Sequence, residues 1–184
     1  RKDKALKQTF DTAAELLEVQ AKRNGRVGFA FDIDEEEFSS FVSKFPYEET
    51  YDQKKTIEEV TIDMQSQKPM DRLICGEVGF GKTEVAMRAA FIAALNNKQT
   101  CILVPTTLLA SQHFASFEKR FQDSGISIAA LSRNITLKEK EKLLQDLGSG
   151  EIDIVIGTHA LLQGNIRFND LGLLIIDEEH RFGV

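Results

Sequence analysis

The chain has 184 residues, with 23 Lys and Arg against 29 Asp and Glu, for a formal net charge of −6. That length suits one α/β domain with an attached extra, and a chain of this size buries roughly 68–70% of its unfolded surface. Net acidity argues against a protein that coats nucleic acid by bulk charge, but it leaves room for a local nucleic-acid track. No apolar run reaches transmembrane length, so no membrane partner is expected. The opening RKDKALKQTFD carries no apolar signal core. Two cysteines, Cys75 and Cys101, cannot build a disulfide framework or a four-ligand zinc site. A cytoplasmic, reduced protein is expected.

Charge is uneven along the chain. Residues 1–26 sum to +3, residues 27–63 to −8 and residues 64–184 to −1, with the acid concentrated in DIDEEE at 32–37. A solvated face is the ordinary meaning of such a run. Residues 3–23 read as a helix, because Leu6, Phe10, Ala13 and Leu17 form one apolar stripe and Asn24-Gly25 is a good stop. A single stripe on a basic helix needs a partner surface, in this domain or in a neighbour. VGFAF at 27–31 looks extended. Asp34 can cap a short helix running to about Ser43, and FPYEETYDQ at 45–53 leads into another with Asp52 as its cap. Ile57, Val60 and Met64 share one face of that second helix.

From residue 70 strands and helices alternate. Apolar runs at 72–75 (RLIC), 101–104, 126–131, 152–156 and 173–176 read as strands, and 82–95, 107–121 and 136–147 as helices. Both cysteines fall on strands expected to be buried. This alternation predicts right-handed βαβ units and a doubly wound, mostly parallel α/β sheet with flanking helices.

Residues 76–83, GEVGFGKT, satisfy G-x-x-x-x-G-K-[ST], with an expected strand before and a helix after. Gly76, Gly79 and Gly81 allow backbone N–H groups to close around phosphate oxygens. The helix beginning near Lys82 turns its positive dipole end to the same point. Lys82 supplies a mobile cation for the β- and γ-phosphates, and Thr83 a hydroxyl for Mg²⁺. Glu84 follows directly and is counted with the nucleotide-binding residues. At 172–180, GLLIIDEEH is an apolar strand ending in carboxylates, and strand C-termini are where open α/β sheets bind ligands. Asp177 sits where a Walker-B acid holds Mg²⁺, and Glu178 is the group to orient and deprotonate water. His180 is expected to couple this end to the γ-phosphate side or to a facing domain. ATP and Mg²⁺ are the expected cofactors.

Further segments resemble helicase motifs. PTTLLASQH at 105–113 is similar to motif Ia of superfamily-two helicases, GTHALLQ at 157–163 to motif Ib, and FPYEETYDQ to the adenine-reading Q-motif. The combination of FPYEETYDQ, MDRLICGEVGFGKTEVAMRAAF, LVPTTLLASQHF, IGTHALLQ and LLIIDEEHRFGV resembles the bacterial transcription-repair coupling factors over nearly the whole chain. Phe80 in the P-loop and DEEH, where a Ser and DEQH are expected, separate it from the replication-fork regression helicases of the same group. The resemblance implies a RecA-like fold and a translocase on double-stranded DNA. Such a motor displaces stalled RNA polymerase and recruits excision-repair proteins through other domains. It implies a connecting helix at 1–25 and a first motor domain at 26–184.

By the same resemblance, Phe45 stacks on adenine and Gln53 bonds its edge, while Gly79, Gly81, Lys82 and Thr83 hold phosphates and Mg²⁺. Asp177 and Glu178 run hydrolysis. Thr106, Thr107, Gln112, Ser132, Arg133, Thr158 and His159 lie in segments that contact the DNA backbone. Phosphate contacts suit a motor that must step along any sequence. Plainer roles stand beside these: Thr106 and Thr107 as caps of helix 107–121, His113 as a core-edge histidine, His159 as a turn stabiliser. A fork-regression helicase and a nucleotide-dependent interaction module without a DNA role are the alternatives. The chain stops at Val184. The resemblance therefore implies a second motor domain elsewhere, very slow hydrolysis by this stretch alone, and a sheet gap beside the P-loop strand that a later strand fills.

Overall fold

The computed structural model describes residues 2–77, 79–132 and 135–178. Three helices come first: α1 (Lys2–Asn24), α2 (Glu35–Ser43) and α3 (Tyr51–Gln65). Then α4 (Lys82–Leu95), α5 (Thr107–Arg120) and α6 (Leu137–Ser149) alternate with strands β1 (Gln99–Leu103), β2 (Ile128–Leu131), β3 (Ile154–Gly157) and β4 (Leu171–Ile176). A 3₁₀ turn spans His159–Leu162. The four strands form one parallel sheet in the order β2-β3-β1-β4. This is the expected doubly wound architecture: the chain runs outward from β1 to the edge strand β2, then returns through β3 and past β1 to β4.

β1 and β3 are buried throughout, and their side chains alternate between two cores. Ile102, Val104, Ile154 and Ile156 meet α4 and α5 through Phe91, Ala110 and Phe117 on one face. Cys101, Leu103 and Val155 meet Leu147 of α6 and Leu161 on the other. A third cluster joins Ile57, Val60 and Met64 of α3 to Val85, Ala89 and Ile92 of α4, with Phe31 and Leu173. The alanine-rich α4 can therefore lie close to both the sheet and α3.

Local chemistry sets several boundaries. The Asp34 carboxylate accepts from the Glu36 and Glu37 N–H groups and starts α2. α3 begins at Tyr51, two residues earlier than an Asp52 cap would require. Thr50 is the cap, and the Thr50–Gln53 capping box satisfies two backbone donors where Asp52 alone would satisfy one. Thr136 and Glu139 form a second capping box on α6.

The expected strand at 72–75 does not form. Leu73 is exposed, and no strand pairs with this segment or with the outer edge of β4 among the described residues. An extended segment without a neighbour has no ladder to join. Cys75 is accordingly exposed, contrary to the expectation of a buried strand position, while Cys101 is buried in β1. Phe10 and Leu17 of α1 are exposed too. An ion pair between Arg23 and Asp71 ties the end of that helix to the domain.

Candidate nucleotide and nucleic-acid site

Every site-bearing segment of the sheet lies at the C-terminal crest. Thr106 follows β1, Ser132 follows β2, Thr158 follows β3 and Asp177 follows β4, whose ladder it extends by donating its N–H to the Leu103 carbonyl at 2.9 Å. The P-loop joins them through Thr83, which shares a cavity with Gln112 and His113. Gly79 (φ 90°) and Gly81 (φ 73°) adopt left-handed backbone that disfavours any other residue. A Cβ at Gly81 would also meet Gln53 Nε2 and push that side chain aside. No side chain caps α4 at Gly81. The Glu84 N–H donates to the Gly81 carbonyl at 3.0 Å, and the helix dipole points into the loop with no side-chain cap upon it, a setting that favours an anion. Lys82 Nζ donates to the Gly76 and Glu77 carbonyls at 2.5 and 2.9 Å, folded back over the loop where phosphate oxygens would sit.

Gln53 spans the gap between α3 and this loop. Its Oε1 accepts from the Thr50 N–H at 2.8 Å, and its Nε2 donates to the Phe80 carbonyl at 2.8 Å. Phe45 is half-buried, edge-on to Tyr47, with the Arg88 and Arg120 guanidiniums 5.6 and 6.0 Å from its ring centre. Glu84 faces inward rather than toward the P-loop cradle. It accepts from Arg88 Nε at 2.9 Å and from Arg120 Nε and Nη2 at 3.2 and 2.9 Å. Glu49 completes this buried cluster at 2.6 Å from Arg88 Nη2.

Asp177 is held at both oxygens. The Glu178 N–H donates to Oδ1 at 3.0 Å, and His113 Nε2 lies 2.8 Å from Oδ2. An ionised carboxylate only accepts, so Nε2 carries the proton. The His113 hydrogen bond holds the Asp177 carboxyl below its usual range against the opposing effect of burial. The charge on His113, the Glu178 N–H and the charge of nearby Lys82 add to it. Glu178 itself has φ 53°, a left-handed conformation unusual for glutamate.

Two cavities open at the crest. One, of about 190 Å³, is lined by Thr83, Leu109, Gln112, His113 and Ser116. The other, of about 210 Å³, is lined by Pro105, Thr106, Thr107, Thr158 and His159. Four of the expected DNA-backbone residues are thereby gathered, and Gln112 stands with Thr83 instead. Thr106 also caps α5, accepting from the Leu109 N–H at 3.2 Å. Arg133 and His180 lie outside the described residues.

Reading the sequence missed His113, Arg88, Arg120 and Glu49 as parts of this arrangement. Glu84 and Arg88 stand four apart on a helix, a spacing that signals an ion pair. The partner of His113 is 64 residues away and left no such mark.

Residues 50–184 match the DEAD/DEAH box helicase family, and the chain belongs to it. It is 57% identical to the transcription-repair-coupling factor of Haemophilus influenzae and 52% identical to that of Escherichia coli, over its whole length in both cases. It spans 16% of the length of each of these relatives. Among solved structures, RecG bound to a three-way DNA junction superposes with a TM-score of 0.83 at 41% identity, covering 90% of this chain and 23% of that one.

Proposed function

We propose that this chain is the ATP-binding part of a DNA translocase that couples transcription to excision repair, residues 1–25 forming a connecting helix and 26–184 a first RecA-like motor domain. One observation carries the reading: an uncapped helix N-terminus behind a glycine-turned P-loop faces an Asp177 carboxylate fixed at both oxygens, on the crest that also gathers Thr106, Thr107, Thr158 and His159.

The residues present fit a magnesium nucleotide. Thr83 offers a hydroxyl and Asp177 an anionic oxygen, the hard donors that Mg²⁺ prefers. The ion's other positions would go to the nucleotide's phosphates and to water, as is usual for Mg²⁺. When bound, the metal neutralises charge on the transferring phosphoryl group. Lys82 exchanges its two loop carbonyls for phosphate oxygens, and the α4 N–H groups bind the same anion. Phe45 offers a ring face to adenine, and Gln53 ties the adenine side to the loop. Glu178, one residue past Asp177, orients and deprotonates the attacking water. Hydroxyls and His159 grip the phosphodiester backbone without reading bases.

Double-stranded DNA is the proposed track. RNA polymerase and excision-repair proteins are partners reached through regions outside this chain, in the cytoplasm. The names of the 57% and 52% identical relatives support this reading over fork regression. The test is DNA-stimulated ATP hydrolysis by the full-length protein. Lys82→Ala is expected to abolish it while leaving the thermal unfolding midpoint in place. Undiminished turnover in that variant would overturn the reading.

A further inference from the structure

Helix α5 touches both halves of the crest. Its cap, Thr106, lines the hydroxyl-rich cavity with Thr107, Thr158 and His159. Seven residues on, two turns and about 10 Å along the axis, His113 reaches Asp177 Oδ2. At its far end Arg120 holds Glu84, the residue after Thr83, and donates to the Phe41 carbonyl at 2.9 Å. The helix is therefore fastened beside both proposed metal ligands, Asp177 and Thr83, and its first turn stands at the proposed DNA grip. Its body is stiffly backed: Phe117, one turn after His113, is fully buried and stacks on Phe121 with ring centres 5.7 Å apart. Packed cores of this kind move as units and do not stretch.

We propose that His113 is a positioning residue for the Asp177 carboxylate, and that α5 carries DNA engagement at Thr106 and Thr107 to that carboxylate through it. The Glu178 N–H and His113 Nε2–H each occupy one oxygen of Asp177, which fixes the carboxylate plane and leaves the remaining lone pairs for a metal ion or its water. A shift of the helix on binding a DNA backbone moves the His113 donor and re-aims Asp177. The metal side of this proposal rests on the nucleotide reading above, and the coupling side on the DNA reading.

The experiment compares the full-length protein with His113→Ala and His113→Gln, the glutamine amide being able to reach where Nε2 does. Three quantities are measured: Mg²⁺-dependent tightening of a fluorescent ATP analogue, anisotropy of a DNA duplex, and ATP turnover with and without that duplex. His113→Ala is expected to raise the Mg²⁺ concentration for half-maximal tightening by about 10–100-fold, as loss of an outer-shell partner does. It is also expected to reduce DNA stimulation of turnover by at least about tenfold, with duplex affinity and metal-free nucleotide binding unchanged. His113→Gln restores most of both effects. Unaltered Mg²⁺ dependence in His113→Ala, or equal damage in both variants with equally lowered melting temperatures, overturns the proposal. If the unsubstituted protein shows no DNA stimulation at all, the DNA reading and the coupling fail together, and the Mg²⁺ titration still decides the positioning role.

Discussion

Gln53 donates its Nε2–H to the carbonyl of Phe80, 27 residues away, while its other amide atom caps α3. One side chain thus sets both the start of a helix and the shape of the P-loop. The two roles separate by substitution. Gln53→Glu keeps the acceptor for the Thr50 N–H and loses the donor to Phe80. It is expected to melt near the parent temperature and to bind nucleotide more weakly. Gln53→Ala loses both and is expected to cost a further ~1 kcal/mol of stability, the usual worth of a cap. Chemical denaturation and nucleotide titration of the two variants check this.

Glu84 is 6% exposed and holds two arginines, themselves almost fully buried. Removing it leaves Arg88 with Glu49 alone and Arg120 with the Phe41 carbonyl. Glu84→Ala is expected to destabilise the domain by about 3–5 kcal/mol, the range for breaking a buried pair from one side. The cluster also underlies Phe45, so the variant should loosen the adenine platform. A lowered urea midpoint is the primary readout, and an unchanged midpoint contradicts the packing argument.

The two cysteines should differ sharply in reactivity. Cys75 is exposed, whereas burial in β1 pushes the Cys101 thiol up to about 12. A thiol reagent at pH 8 is expected to modify one cysteine in the native protein and two after denaturation. The linkage has a definite sign. The folded state keeps the Cys101 proton where the unfolded chain, with a thiol near 8.5, gives it up. That contribution to stability is fully present below the unfolded value and is lost as pH rises toward 12. Cys101→Ala should flatten this alkaline loss, measured by denaturant midpoints from pH 8 to 10.5.

What could be read from the chain and what could not follow a physical division. Local signals sufficed for α4, whose expected bounds of 82 and 95 are the ones observed. The Asp34 cap was equally legible. The Thr50–Gln53 capping box is present in the letters, and it prevails over Asp52 because it satisfies two backbone donors. RLIC has a strand's composition, but a strand is made by its neighbour, and composition does not say which neighbour is there. The glycine cradle and the acidic strand end could be read because each is contiguous. The His113–Asp177 bond and the Arg120–Glu84 pair join residues 64 and 36 apart, so folding alone brings them together.

Gln99 lies at the opposite pole of the sheet from the P-loop, 3% exposed at the start of β1. Its amide donates to the Leu147 and Ile152 carbonyls at 2.9 and 2.7 Å and accepts from the Asn169 and Asp170 N–H groups at 2.7 and 3.0 Å. All four of its hydrogen-bonding positions are in use, and they stitch α6 and the segments leading into β3 and β4 to β1 at a single point. The floor of the domain is thereby locked in the hub of the sheet, so strain introduced by a ligand has nowhere to relax below and is delivered to the loops above.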